Sequence, residues 1–153
     1  KMHSFVELLH ENRQKPILVT GTGFCAPLQE FMVRKLLVLG YCAIGSNSYE
    51  VYESGALNAG LVIAISKSGK TNTILKPVQD SFAQHRSIIA FVGADNSPIA
   101  RCADPAFVLL DDKMLDDRNL TANYFYARVL ITFEYLMDLV LEKDEHPNGK
   151  EGQ

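Results

Sequence analysis

Residues 61–71 read LVIAISKSGKT, an unbroken apolar run followed at once by a hydroxyl-rich turn that contains a glycine. A strand that is apolar at every position is buried on both faces, which is typical of a parallel sheet covered by helices. Similar runs occur at 16–21, 87–93 and 106–111, with a weaker one at 41–46. The sequence therefore predicts five strands.

Stretches of helical periodicity separate these runs. Leu28, Met32 and Leu36, for example, share one helical face. Alternation of strands and helices predicts an α/β fold, a three-layer αβα sandwich of the flavodoxin-like or Rossmann-like kind around a five-stranded parallel sheet. The last helical stretch, 119–141, is apolar on nearly every side. Such a helix needs cover beyond the sheet, so we expect a homodimer or larger homo-oligomer.

Composition indicates an ordinary soluble domain. The 153 residues suit one domain, expected over 1–142 with a polar, disordered tail at 143–153. A formal net charge of -3 argues against nucleic-acid binding by this chain itself, and no apolar run reaches the roughly 20 residues of a membrane span. Three widely spaced cysteines fit reduced thiols in the cytoplasm. We expect a cytoplasmic protein with no membrane partner, metal or cofactor.

Two loops follow predicted strands and enter helices, where backbone N–H groups and the helix dipole favour an anion. They read GTGFCA at 21–26 and SKSGKT at 66–71. Ser66, Ser68 and Thr71 place three hydroxyls around a glycine in the second loop. Hydrogen bonds to a charged group contribute about 1.5–3 kcal/mol each, so this loop can hold one phosphate monoester without a metal ion.

Two nucleotide-binding interpretations remain open, and each lacks one required part. A P-loop, GxxxxGK[ST], would place its leading glycine at Ala64, inside the apolar run. A dinucleotide site would use 21–26 as GxGxxA, but it also requires an acidic residue about 20 positions later. The end of the second strand has no carboxylate before Glu50.

The two loops together resemble those of sugar isomerase (SIS) domains. ISKSGKT is similar to the family's S-x-S-G-x-T phosphate loop, and GTGFC is similar to its first loop, G-x-G-x-S, in the same order across residues 16–141. The resemblance is strongest to the effector domains of RpiR-type transcriptional regulators. The phosphosugar-binding residues that it implies are Gly23, Phe24, Cys25, Ser66, Lys67, Ser68, Gly69 and Thr71.

The resemblance further implies a bacterial regulator that senses a sugar phosphate to control carbohydrate-metabolism genes, and no enzyme activity. In such regulators DNA is bound by an N-terminal helix-turn-helix domain, expected upstream of Lys1. Cys25 departs from the family, which has serine there, and a thiol is a weaker donor than a hydroxyl. We expect Cys25 to be a small, poorly reactive filler; a helix start that lowers its pKa is the minor hypothesis.

An aldose–ketose phosphosugar isomerase of the same family is the alternative. Isomerisation needs a positioned base, and Glu50 and Glu53 are the plausible candidates after the second strand. Ser46, Asn47 and Glu53 are predicted to contact sugar hydroxyls.

Other polar residues near the loops have simpler expected roles. The side chains of Lys67 and Lys70 are expected to be solvated, adding only positive field. Asn119 is expected to face the ligand pocket from the start of the last helix, whereas Tyr124 and Tyr126 are expected in packing or subunit contacts.

Overall fold

A computed structural model describes residues 1–46, 58–110, 113, 116 and 118–146 of the chain. In these residues the helices are α1 (Met2–Glu11), α2 (Ala26–Val38), α3 (Asn72–Ala83), α4 (Pro98–Arg101) and α5 (Phe125–Glu145). The strands are β1 (Ile17–Gly21), β2 (Ala43–Gly45), β3 (Leu61–Ser66), β4 (Ser87–Val92) and β5 (Ala106–Val108), and one 3₁₀ turn at Gly23–Cys25 joins β1 to α2.

The strands form one parallel sheet in the order β2-β1-β3-β4-β5, which confirms the predicted five-stranded sheet. β5 is shorter than the apolar run at 106–111: it pairs with β4 alone and ends at Val108, in register with Val92 at the end of β4. Its pairing ends gradually: the N–H of Leu109, one residue beyond the strand, still donates to the carbonyl of Val92 at 2.8 Å.

Helices cover both faces of the sheet and complete the predicted sandwich. Val19 and Ile63 belong to the core shared with α1, α2 and α5. Val62 and Ala64 belong to the core shared with α3 and α4. Neighbouring residues of a strand point to opposite faces, so both cores require apolar side chains and the strands are apolar throughout.

The last helix extends beyond the boundary expected from the sequence. The tail was expected to begin at Lys143, but α5 continues to Glu145. Lys143 donates a hydrogen bond to Glu7 of α1, and this bond lowers the pKa of the Glu7 carboxyl. Asp144 accepts a hydrogen bond from Arg13 at 3.0 Å. These ion pairs join the last turn of α5 to α1 and to the turn that follows α1. In the described part of the chain, no helix has the length and apolarity to cross a membrane.

The sheet order creates one topological switch point. From β1 the chain crosses to β2 on one side, whereas β3 leads to β4 on the other side. β1 and β3 are themselves neighbours, with Gly21 in register with Ile65. Ligands of open α/β sheets bind at the carboxyl ends of strands at such a point. The two loops singled out in the sequence lie there.

Candidate phosphosugar site

A pocket of about 270 Å³ opens at the carboxyl ends of β1 and β3. Described residues that line it come from both loops, from the start of α3, and from the chain before and within the first turn of α5. They are Thr22, Gly23, Phe24, Cys25, Ile65, Ser66, Lys67, Ser68, Thr71, Ile74, Arg118, Asn119 and Tyr126. The structure therefore brings the two loops to a single cavity.

Hydrogen bonds within the loop at 66–71 fix its shape. The Ser66 hydroxyl, in a residue only 1% exposed, accepts from the N–H of Gly69 at 3.1 Å and lies 3.0 Å from the Thr71 hydroxyl. The Ser68 hydroxyl lies 3.4 Å from the same Thr71 oxygen. Gly69 has φ +65°, and a Cβ there would overlap the side chain of Ser97. Gly69 therefore packs the loop against Ser97, and it is not among the described residues that line the pocket.

The start of α3 faces this loop without a side-chain cap among the described residues. Thr71 is the N-cap residue, and its carbonyl accepts from the N–H groups of Ile74 and Leu75. The first N–H groups of a helix have no partner within the helix, and the positive end of its dipole lies beside them. This end of the pocket is consequently suited to an anion.

The loop at 21–25 is a tight turn. The N–H of Gly21 donates to Oε1 of Gln29 at 2.9 Å, and a Cβ on Gly21 would lie 2.8 Å from the carbonyl oxygen of Cys25. Gly23 has φ +56°, in the left-handed region that favours glycine. The turn leaves Phe24 61% exposed at the pocket and directs Cys25 inward.

Cys25 is a buried thiol rather than an activated one. It is 5% exposed, and burial raises its pKa to about 11, against a smaller opposing effect of the Lys67 backbone N–H that hydrogen-bonds it. The minor hypothesis of a lowered pKa at a helix start is therefore wrong, because desolvation of the thiolate outweighs the nearby N–H and charge.

A wall of the pocket is formed by the chain before α5, and Lys67 ties this wall to the loop at 66–71. The ammonium Nζ of Lys67 donates to the carbonyl of Asp116 at 2.9 Å and to Oδ1 of Asn119 at 3.0 Å. The hydroxyl of Tyr126 donates to the same Oδ1 at 2.7 Å, and the Tyr126 ring lies 5.9 Å from that of Phe24. The expectation of a merely solvated Lys67 is wrong, whereas Lys70 is exposed as expected.

Asp116 organises the backbone of this wall. Its carboxylate accepts from the Thr121 hydroxyl at 2.7 Å and from the N–H groups of Leu120 and Thr121 at 3.0 and 2.9 Å. These bonds, led by the Thr121 hydroxyl, lower the pKa of the Asp116 carboxyl. Asn119 lies between Asp116 and Leu120 in the chain and has φ +52°. Asp116 is thus a structural carboxylate of this wall.

Neither nucleotide interpretation gains support from the geometry. Ala64 is fully buried in the middle of β3, in register with Thr20 and Ala90, so the first turn of a P-loop has no place there. At the end of β2, the described residues Gly45 and Ser46 supply no carboxylate for a ribose.

The predicted sugar-contact residues are placed only in part. Ser46 follows β2, where its N–H donates to the carbonyl of Val19 at 3.1 Å, and it is not among the described residues that line the pocket. Asn47, Glu50 and Glu53 lie outside the described residues.

Sequence reasoning missed several lining residues. Thr22, Ile65, Ile74, Arg118 and Tyr126 line the pocket without having been singled out for it. Tyr126 does pack, its ring lying 5.5 Å from that of Phe125, but it also faces the pocket. Its place in the first turn of a helix that follows a strand was the available indication, since that turn lies at the carboxyl edge of the sheet.

Known proteins resemble this chain in fold and not in sequence. No family model matches the chain, and no curated protein matches it by sequence. Among similar solved structures is Vibrio vulnificus NanR complexed with ManNAc-6P, with a TM-score of 0.78 and 19% identity over 93% of this chain and 53% of that one. Phosphoheptose isomerase GmhA from Neisseria gonorrhoeae has a TM-score of 0.73 and 15% identity over 92% and 85%.

A third similar structure is the sugar isomerase domain of an RpiR transcription factor from Sphaerobacter thermophilus. Its TM-score is 0.64, with 17% identity over 95% of this chain and 85% of that one. This chain spans about half the length of NanR. Regulators and enzymes both appear among the similar structures, so the likeness concerns architecture. The chain has the fold of a sugar isomerase domain.

Proposed function

We propose that this chain binds a sugar phosphate in the pocket between β1 and β3, as the effector domain of a cytoplasmic RpiR-type transcriptional regulator. The observation that carries the proposal is the meeting of both loops in one cavity beside the uncapped start of α3. Helix starts with such loops bind phosphate groups. Vibrio vulnificus NanR, whose fold is similar, was solved with ManNAc-6P.

The phosphate lies at the loop 66–71 in this proposal. Ser68 and Thr71 contact its oxygens, because both hydroxyls belong to lining residues that are only partly buried. Ser66 is nearly fully buried and bonded to Gly69 and Thr71, so it holds the loop in shape. The sugar extends towards Phe24 and the wall that contains Asn119.

The proposal takes binding without turnover as the function and isomerisation as the alternative. Sugar isomerisation needs a base, commonly a carboxylate or an imidazole. Among the described residues that line the pocket, none is Asp, Glu or His. Glu50 and Glu53, the candidates from the sequence, remain the residues whose substitution tests the enzymatic alternative.

Self-association belongs to the same proposal. Phe31 and Val38 of α2 and Ile131 and Tyr135 of α5 are large apolar side chains exposed to solvent. Exposed apolar side chains on neighbouring helices favour a protein interface. We propose a homodimer through these helices, with DNA bound only by a further N-terminal domain; light scattering would give a monomer mass if the dimer is wrong.

A binding screen tests the central claim. Thermal unfolding should shift upward with glucose 6-phosphate, fructose 6-phosphate or ManNAc-6P, and not with the matching free sugars, because a ligand of the folded state alone raises stability. Ser68→Ala should reduce the shift. A shift with ATP and magnesium alone would contradict the proposal.

The enzymatic alternative has its own readout. An isomerase that works by proton abstraction exchanges a carbon-bound hydrogen of the sugar phosphate for deuterium in D₂O. Proton NMR of the bound sugar phosphate should show no such exchange. Exchange that disappears in Glu50→Gln or Glu53→Gln would establish the isomerase instead.

A further inference from the structure

The side-chain amide of Asn119 has a fixed orientation in the pocket wall. Lys67 Nζ is only a donor, so the atom that it contacts at 3.0 Å is the amide oxygen Oδ1. The Tyr126 hydroxyl donates to the same oxygen at 2.7 Å. Two donors on one side occupy both lone pairs of Oδ1 and assign the opposite side of the amide to Nδ2.

The two N–H donors on Nδ2 are left for another partner. No described residue accepts a hydrogen bond from Nδ2, and Asn119 lines the pocket. Its backbone, at φ +52°, is in a conformation that asparagine and aspartate adopt more readily than other non-glycine residues. The Asn119 N–H is held by the carbonyl of Asp116 at 3.1 Å. The amide is thus presented from a backbone that is itself tied down.

Lys67 sets where these donors stand relative to the phosphate. It belongs to the loop at 66–71, and its ammonium reaches across to Asn119 and Asp116. The distance between the phosphate end of the pocket and the Asn119 amide is therefore fixed by direct hydrogen bonds. Such a two-point arrangement recognises a ligand with an acceptor at a set distance from its phosphate.

We propose that Asn119 is a specificity-determining residue that donates Nδ2–H hydrogen bonds to an oxygen on the sugar part of the ligand, and that Lys67 and Tyr126 are positioning residues that hold its amide. The inference rests on the proposed binding of a sugar phosphate and adds which group reads the sugar. Inorganic phosphate, which has no sugar, does not use this contact.

Two substitutions of Asn119 isolate the contact. Asn119→Gly removes the side chain without backbone strain, since glycine accepts a positive φ. Asn119→Asp keeps oxygens towards Lys67 and Tyr126 but replaces the Nδ2 donors with an acceptor. Calorimetry would measure the dissociation constants of inorganic phosphate and of whichever of glucose 6-phosphate, fructose 6-phosphate and ManNAc-6P binds the unmodified chain most tightly.

The expected result is a selective loss. Asn119→Gly should weaken binding of the sugar phosphate by about threefold to tenfold and leave binding of inorganic phosphate unchanged. Asn119→Asp should weaken binding of the sugar phosphate further, because its carboxylate would face an acceptor oxygen of the sugar. Tyr126→Phe keeps the ring but removes one of the two hydrogen bonds to Oδ1. Its dissociation constant for the sugar phosphate should therefore lie between those of the unmodified chain and Asn119→Gly. If Asn119→Gly unfolds, Asn119→Asp decides by how far its loss of sugar-phosphate binding exceeds its loss of inorganic-phosphate binding, since its negative charge repels both.

Two different failures are distinguishable. Equal binding of the sugar phosphate by the unmodified chain and Asn119→Gly, or equal loss of sugar phosphate and inorganic phosphate, overturns the role of Asn119 while sugar-phosphate binding stands. An unmodified chain that binds none of the three sugar phosphates overturns the proposed function and this inference together.

Discussion

The loops at 66–71 and 21–25 meet in one pocket, but they are built differently. In the loop at 66–71, hydroxyls of Ser66, Ser68 and Thr71 form a connected set of hydrogen bonds in front of a helix start. The loop at 21–25 contributes an exposed ring at Phe24 and a buried thiol at Cys25. One loop therefore offers polar groups to a charged ligand, and the other mainly offers shape.

The glycines of the two loops show the same difference. Gly69 and Gly23 both have φ in the left-handed region, at +65° and +56°. A Cβ on Gly69 would overlap Ser97, whereas no described atom lies within 4 Å of a Cβ on Gly23. The first glycine is required by packing and backbone together, and the second by backbone alone. A preorganised anion loop depends on such rigid backing, because a loop that must reorganise binds less tightly.

The largest expected effect distinguishes these glycines. Gly69→Ala should lower the free energy of unfolding by about 3 kcal/mol, the sum of backbone strain and the overlap with Ser97. Gly23→Ala should lower it by only about 1 kcal/mol, from backbone strain alone. Urea unfolding of the two variants measures the difference.

A second-site change sharpens this test. Ser97→Gly removes the two Ser97 atoms that a Cβ on Gly69 would overlap, so the double variant should lose less than the two single losses added together. Equal losses for Gly69→Ala and Gly23→Ala would mean that the loop at 66–71 has room behind it, contrary to the packing described.

The buried thiol makes the loop at 21–25 sensitive to alkaline pH. A cysteine has an ordinary pKa of 9.0, and burial raises that of Cys25 to about 11. Between these values the unfolded chain releases the proton and the folded chain keeps it, so the free energy of unfolding falls as pH rises. The fall attributable to Cys25 should reach about 2 kcal/mol by pH 11.

Cys25→Ser is the matched control, because it keeps the shape of the side chain and removes the titration. Burial also raises the pKa of Tyr41 and Cys102, but these groups are present in both proteins and cancel in the comparison. Stability measured below pH 9 and at pH 11 should therefore decline less in Cys25→Ser. Parallel declines would show that the Cys25 thiol is solvated in the folded protein.

Local sequence was sufficient to predict the sheet and the position of the loop at 66–71. The run at 61–66 has the same bounds as β3, since an apolar segment buried on both faces ends where the polar turn begins. The loop at 66–71 could be located in the same way, because the hydroxyl groups and the glycine that hydrogen-bond to one another are neighbours in the sequence, at most five positions apart.

The pocket wall could not be predicted in the same way. Lys67 reaches Asp116 and Asn119 across 49 and 52 positions, and the pattern that predicts a helical stretch from residue 119 does not reveal that α5 begins only at Phe125. The role of Tyr126 depends on that same long-range closure. Long-range polar contacts follow from the assembled fold, so the sequence alone favours a solvated side chain for Lys67.

The smallest expected effect separates two serines within the loop at 66–71. Ser66→Ala should lower the free energy of unfolding by about 1 kcal/mol, because it removes the hydrogen bonds that the buried hydroxyl makes with the N–H of Gly69 and with the Thr71 hydroxyl. Ser68→Ala should change stability by less than about 0.5 kcal/mol, since its hydrogen bonds are long, at 3.3 and 3.4 Å, and the residue is only partly buried.

Binding should rank these variants in the opposite order to stability. Ser68→Ala removes a hydroxyl that lines the pocket and should weaken inorganic phosphate about tenfold or more, as expected for a hydrogen bond to a charged group. Thr73→Ala deletes a hydroxyl from an exposed residue of α3 outside the lining set, and it should change neither quantity. If Ser66→Ala weakens phosphate more than Ser68→Ala at equal stability, the buried hydroxyl itself turns towards the anion, and the division of the loop into a framework serine and a contact serine is wrong.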